Sequence, residues 1–568
     1  MSGFLRRWSY DFSVDLTQMK KIARDPVLLA AILLCIVSLA IFVVFPLYKV
    51  LQQSFFNPDG AFSLEAYSQL ISSGENLKAF SNTLLLGTVV GILATAVGFL
   101  FAYCYIYLAI RGKKIFNLVA MLPMISPPFA VALSIILLFG SRGFITNTLF
   151  GLRDANIYGL KGLILVQTLS FFPIAYLLLV GMLKSIDPSI EDAARDLGAS
   201  RWATFRRVTL PLVAPGIANS FLLVFIKSVA DFANPMAIGG NFATLATQIY
   251  IQSIGNYDVQ GGAAVAVLLL DLSMLLFIVS KYWVEKKVYV TVTGKASRER
   301  VPIDEKIVVW PIAGTCYVIA TIVLSLYILI PIGSFIKLWG INYSLTLDHY
   351  RYAFGVGSKA IFDTTWLSFI ATPVTGLLGM IIAFLVVRKR FIGKGFINFA
   401  SLLSIAVPGT VIGVGYILAF NTPPIVLTGT ATLLVVAFVV RSLPIGIRAG
   451  VASLQQIDPA IEEAAADLGA SSRQIFFKIT LPLIKTAFFS GLIYTFIRSM
   501  TSISAVIFLI TAKYNLITIA VLDQVESAKF GVASAFSTIL ILIVYVAIFI
   551  TNQVLSRMGA DSKKIELS

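Results

Sequence analysis

Two decapeptides carry most of the chain's clustered polar chemistry: EDAARDLGAS from Glu191 to Ser200 and EEAAADLGAS from Glu462 to Ser471, with Glu191 and Glu462 separated by 271 positions. Adjacent carboxylates of this kind could transfer protons or hold a cation if a base or further ligands stood beside them. Nothing nearby completes such a set. The chain has one histidine, His349, and its three cysteines, Cys35, Cys104 and Cys316, lie far apart with no metal-ligand spacing. No catalytic residue and no metal ligand is assigned. The pattern suits docking instead, because alanine and glycine permit close approach while the acids and the following arginines offer charge.

Each phrase reads as a short capped helix. Asp187-Pro188 supplies an N-cap and a proline in the first turn. Glu191 with Asp192, or Glu462 with Glu463, then sits near the positive end of the helix dipole. Gly198 and Gly469 suit a left-handed position that ends the helix. A second amphipathic stretch follows, up to Pro211 or Pro482.

Further on, FIKSVADF and FIRSMTSI place Lys227 and Arg498 at equivalent positions of two otherwise apolar runs. A basic residue deep in such a run normally faces protein or a water-filled path. There the pair would favour an anionic or chelated solute, with Asp231 and Ser502 on the same lining and Asn234, Ser499 and Thr501 as weaker candidates. The alternative is that Lys227 pairs with Asp231 one turn on, while Arg498 reaches toward headgroups. Asp271 and Asp523 are open to either lining or packing, and Gly87 and Gly91 have the spacing of a helix contact.

The elements that must position these groups are membrane spans. Of 568 residues, 58% are hydrophobic and 13% charged, with mean hydropathy +0.90, against about 25% charged in an ordinary soluble domain. Apolar runs long enough to cross a bilayer fall near 27–48, 82–108, 115–139, 161–183, 213–235, 262–283, 307–333, 364–387, 396–420, 428–450, 484–510 and 533–553. The net charge of +16 resides mainly in segments between alternate spans, such as Arg111 to Lys114 and Arg388 to Lys394. That distribution is the positive-inside signature and puts both termini in the cytoplasm. It excludes a nucleic-acid reading of the basic charge.

The decapeptides belong to a longer repeat. Ile186–Ile217 aligns with Ile457–Phe488 without a gap, and MISPPFAVALSIIL answers SIAVPGTVIGVGYIL upstream. The expected fold is an all-α membrane protein of about twelve transmembrane helices in two tandem homologous six-helix halves. Its parts are a cytoplasmic arm 1–26, a first half 27–283 with loop 187–212, a linker 284–306, a second half 307–553 with loop 458–483, and a tail 554–568. An even number of spans per half gives both halves one orientation, so both loops face the cytoplasm. The polar linker VEKKVYVTVTGKASRERVPIDEK reads as a solvated tether.

With glutamate-alanine-alanine, glycine and a later leucine-proline in both halves, the loops resemble the EAA loops of permease subunits of type I binding-protein-dependent ABC importers. That resemblance covers nearly the whole chain. It implies that Glu191, Ala194 and Gly198, with Glu462, Ala465 and Gly469, dock two copies of a cytoplasmic ATPase subunit. It further implies a bacterial inner-membrane location and a periplasmic solute-binding protein as partner. No G-x-x-x-x-G-K-[ST] phosphate loop occurs in the sequence, so the chain is not expected to be an enzyme or to bind a cofactor. ATP and Mg belong on the partner.

DFANPMAIGGNFATLATQIY and TSISAVIFLIT further resemble ferric-iron importer permeases. Permeases for phosphorylated sugars, phosphonates, thiamine or polyamines look similar and stay open as substrate classes. An ion-gradient-driven secondary transporter would also have twelve spans, but would not need two docking loops.

Overall fold

The computed structural model describes residues 22–23, 25–56, 60–152, 155–284 and 300–557. The N-terminal arm up to residue 21, most of the linker and the tail from 558 onward lie outside them. Among the described residues, ten helices are long and apolar enough to cross a membrane, or up to twelve if each of two bent pairs counts as one span.

The helices used below are α1 (Pro26–Phe55), α2 (Gly74–Tyr107), α3 (Lys113–Ile125), α4 (Ala130–Phe139), α5 (Leu160–Ser185), α6 (Pro188–Asp196), α7 (Arg201–Val229), α8 (Val259–Tyr282) and α9 (Lys306–Ser334). In the second half they are α10 (Ser358–Arg388), α11 (Lys394–Ala406), α12 (Gly409–Phe420), α13 (Ala431–Gln455), α14 (Ala460–Asp467), α15 (Ser472–Leu483), α16 (Lys485–Met500) and α17 (Phe530–Val554). A two-stranded antiparallel ribbon, Ile336–Leu338 with Asn342–Leu345, follows α9.

Two compact units result, and each takes elements from both sequence halves. One comprises residues up to Phe56, Lys359–Ile517 and Leu542 onward; the other comprises Asn57–Ser358 and Thr518–Ile541. The repeat and the packing therefore divide the chain differently. In the first unit α1 lays Ile32, Cys35 and Leu39 into a buried cluster with Met380, Phe384, Leu443 and Ile447. Tyr416 of α12 donates a hydrogen bond to the Phe42 carbonyl at 3.0 Å. In the second unit α9 packs on α2, α3 and α4, with Ser134 donating to the Leu326 carbonyl at 2.6 Å.

Two expected spans are broken. The run 115–139 divides into α3 and α4 at Ser126–Phe129, because Pro127 and Pro128 supply no N–H to continue the ladder. The run 396–420 divides into α11 and α12, bent by 116° at Val407–Pro408. A third departure concerns the segment after the EAA glycine. Rather than stopping at Pro211, the amphipathic stretch from Arg201 runs through a π-helical turn, Phe205–Thr209, into α7, with Pro211 at the start of the resumed α-helix. At ~1.5 Å per residue, Lys227 then lies about 39 Å along α7 from Arg201. It sits in the last turn of α7.

Small residues let these helices approach. The Gly87 and Gly91 pair faces α7: a Cβ there would lie 3.0 Å from Val229 and 2.8 Å from Phe221. Gly98 is tighter, since a Cβ would meet Ala175 Cβ at 2.6 Å and the Tyr176 backbone nitrogen at 2.8 Å. Backbone cannot move aside as a flexible side chain can. Gly98→Val should lower Tm in detergent, at a cost of about 1–3 kcal/mol for overpacking. Gly181→Ala, where nothing lies within 4 Å, should leave Tm unchanged or slightly raised.

Candidate functional site

Both EAA loops adopt the capped geometry expected of them. Asp187 accepts from the Ser189 amide at 2.9 Å, and Asp458 from the Ala460 amide at 2.9 Å. Gly198 and Gly469 have φ of +87° and +86°, conformations that suit glycine. The amide of Ala199 bonds to the Ala194 carbonyl and that of Ala470 to Ala465, both at 3.0 Å, closing α6 and α14 in Schellman turns. Ser200 and Ser471 then cap the helices that follow.

The first glutamate of each loop points inward. Glu191 is 6% exposed and Glu462 8%, which corrects the expectation that their carboxylates sit on the docking surface. One Glu191 oxygen accepts from Thr209 Oγ1 at 2.6 Å and from the Tyr107 hydroxyl at 2.7 Å. The other faces Arg300 Nη1 at 2.9 Å. Glu462 accepts from Thr480 Oγ1 at 3.0 Å and meets Arg388 Nε at 3.1 Å. A buried carboxylate is tolerated only when paired and hydrogen-bonded in this way. The physical role of these acids is to tie α6 to α7, and α14 to α15.

The two ties use different arginines. Arg388 ends α10 and also donates to the carbonyls of Leu454 and Ile457, at 2.9 and 2.8 Å. At the corresponding end of α2 stands Tyr107, and the guanidinium comes instead from Arg300 in the linker. Arg300 lies over the Tyr107 ring at 4.0 Å and donates to the Ile186 carbonyl at 3.2 Å. The next residues are pinned as well: the Ile303 amide donates to Tyr107 at 2.7 Å, its carbonyl accepts from Ala109 at 2.8 Å, and Glu305 pairs with Arg201 at 2.6 Å. The reading of 284–306 as a tether is therefore corrected for Arg300–Glu305, which brace the first loop. Residues 285–299 lie outside the described residues.

What each loop presents outward is a corner of alanine, leucine and glycine. Leu197 is 90% exposed and Leu468 89%. Ala193, Gly198, Ala464 and Gly469 are exposed beside them, with Ala194 and Ala465 half-buried. A large apolar side chain thus stands open at a turn tip twice, at equivalent positions of the repeat. The two leucines could have been read from the repeat, since both copies have leucine before the glycine. Arg300 left no such signal.

Of the suggested pathway residues, Lys227 and Asp231 belong to one unit, and Arg498 and Ser502 to the other. Asp231 is held by amides, accepting from Gln167 Nε2 and Asn234 Nδ2, each at 2.8 Å. Ser228 in turn donates to Gln167 Oε1. Lys227 is exposed, and Arg498 and Ser502 are half-buried.

The family match falls on both copies of this arrangement. Residues 86–290 and 376–559 match the binding-protein-dependent transport system inner membrane component. The chain belongs to that family. It is 39% identical over 539 residues to the ferric transport system permease protein FbpB of Actinobacillus pleuropneumoniae, covering 93% of this chain and 78% of that one. It is 38% identical over 510 residues to the putative ferric transport system permease protein FbpB 1 of Haemophilus influenzae, covering 88% and 80%. A solved bacterial ABC transporter for import of the acidic polysaccharide alginate aligns over 47% of this chain and 98% of its own, at 19% identity and TM-score 0.40. As a multi-pass ABC importer permease, this chain supplies transmembrane helices and two EAA loops.

Removing one partner of each buried pair should loosen only its own loop. Arg300→Ala strands the Glu191 carboxylate, at a cost of about 3–5 kcal/mol. Hydrogen exchange should rise across 187–200 and not across 458–471. Arg388→Ala should do the reverse. Adding Glu191→Gln to Arg300→Ala should recover part of the loss, because it removes the unpaired charge.

Proposed function

We propose that the chain is the fused permease of a ferric-iron importer, driven by two copies of a separate cytoplasmic ATPase subunit and loaded by a periplasmic binding protein. The similarity over 93% of the chain to a ferric transport permease carries the substrate. The driving partner follows from the loops. Leu197 with Gly198, and Leu468 with Gly469, are two equivalent apolar corners that fit a groove on a partner, and two such corners suit an ATPase dimer. Span parity and the basic segments support a cytoplasmic position for both corners and for both termini.

Force applied at either corner reaches the next helix through short connections. The corner is the end of α6 or α14, and the buried glutamate joins that helix to the foot of the next span through Thr209 or Thr480. Closure of an ATPase dimer would thus move α7, α15 and α16 with the docking helices. ATP and Mg are bound by the partner in this scheme, and this chain's part is to transmit motion and provide the path.

Iron-starved cells carrying the intact gene should take up radiolabelled ferric iron, and vanadate, which blocks ABC ATPases, should abolish that uptake. An uncoupler applied while ATP is maintained should leave most of it. Gly198→Val with Gly469→Val, which forces β-branched residues into left-handed backbone, should cut uptake at least about tenfold (~1.4 kcal/mol) while the protein still inserts. Iron uptake unchanged by deletion, in a strain with no second iron system, would overturn the substrate and turn attention to phosphorylated sugars and phosphonates. Uptake that survives vanadate and collapses with the uncoupler would overturn the ATPase-driven mechanism.

A further inference from the structure

The span α13 carries an arginine that the repeat does not duplicate. Arg441 corresponds to Ser170 in the first half, just as Arg498 corresponds to Lys227. Both arginines belong to the same compact unit, on helices α13 and α16 that pack together. These two run antiparallel and cross closely at Gly446 and Gly491, where a Cβ on Gly491 would lie 3.9 Å from Gly446 Cα. Counting away from that crossing, Arg441 is about 7.5 Å up one helix and Arg498 about 10.5 Å up the other. The two cations therefore stand at nearly the same height.

Neither is neutralised. Among the described residues no ion pair includes Arg441 or Arg498. The described carboxylates of this unit are Asp25, Asp363, Asp458, Glu462, Glu463 and Asp467, and all lie outside α11, α12, α13 and α16. Arg441 Nη1 donates to the Val407 carbonyl at 3.0 Å, at the break between α11 and α12. Beyond that break Thr410, in the first turn of α12, is 0% exposed and its hydroxyl has no hydrogen-bond partner. Ser442 and Ser499, each next in sequence to one of the arginines, are likewise buried with no hydrogen-bond partner for the hydroxyl.

Two arginines at one height on packed helices, in no ion pair among the described residues, with the unpartnered Thr410 hydroxyl at the break that Arg441 contacts, suit a bound anion. Guanidinium forks match phosphate and carboxylate oxygens bidentately. A discontinuous helix pair at membrane depth is also where transporters place binding sites. We propose that Arg441 and Arg498, with the Val407–Thr410 break, form a binding site for a small solute oxyanion bearing phosphate or carboxylate groups. This deepens the ferric reading: the oxyanion enters either free or as a ligand that lowers the positive charge of the iron it accompanies.

The site can be tested without iron. Thermal unfolding of the purified full chain in a neutral detergent is followed against inorganic phosphate, citrate and, at matched ionic strength, chloride. Phosphate or citrate should raise Tm saturably by roughly 2–4 °C, and chloride should not. Arg441→Gln and Arg498→Gln should each remove the shift, while Arg441→Lys should keep part of it. Equal Tm in chloride and a single elution peak in size exclusion identify variants that remain folded. No saturable shift in the wild type, an undiminished shift in the double Gln variant, or a response to phosphatidylglycerol alone would each overturn the proposal. Iron uptake by the Gln variants separates the two forms of the anion: loss indicates transport with the metal, and retention indicates a free anion. Because Tm is read without iron, failure of the ferric assignment would leave this result standing.

Discussion

A carboxylate buried inside a protein is costly unless a charge partner and hydrogen bonds meet it, and that requirement organises both EAA loops of this chain. Glu191 and Glu462 are each enclosed by a threonine one span further on and by an arginine from another element. Without that compensation, a helix as short as α6 or α14 would have little to fix its angle against the membrane spans, since isolated helices of this length are marginal. With it, the alanine and leucine corner is presented at a set position and moves with the span behind it. The acid that sequence reading places on the surface is the anchor beneath the surface.

The two halves solve the same problem with different parts. The second half uses Arg388 at the end of its own helix α10, whereas the first half has Tyr107 there and takes its guanidinium from the segment that joins the halves. A fused chain can do this because the linker is always at hand. The halves also differ in the membrane. The first gathers Asp231 with Gln167 and Asn234, while the second holds Arg441 and Arg498, neither of them in an ion pair among the described residues. Duplication supplied the frame, and later substitution made its two sides chemically distinct.

Much of this was legible in the sequence where the controlling physics is local. The caps at Asp187 and Asp458, the left-handed glycines, and the apolar lengths of the spans depend on a few adjacent residues. The breaks at Pro127–Pro128 and Pro408 were visible as prolines within spans, although their sharpness depends on packing. Arg300 was hidden because its partner is far away in the chain and its neighbours read as polar linker. Arg441 was hidden for a different reason: comparison of the halves draws attention to matched residues, and its counterpart is a serine. The inward direction of Glu191 was hidden too, since capped-helix logic fixes position along the axis and not which face meets protein.

The central claim is that the two exposed corners are where a driving ATPase takes hold. Cys35, Cys104 and Cys316 are buried, so a single cysteine in place of Leu197 or Leu468 offers one accessible thiol. With a short maleimide–benzophenone crosslinker attached to that thiol and photoactivated in membranes containing the ATPase subunit, each variant should give a covalent permease–ATPase product by insertion into a C–H bond of the docked partner, diminished when nucleotide changes the docked state. Absence of that product from both positions, in cells whose iron uptake remains intact, would contradict the account.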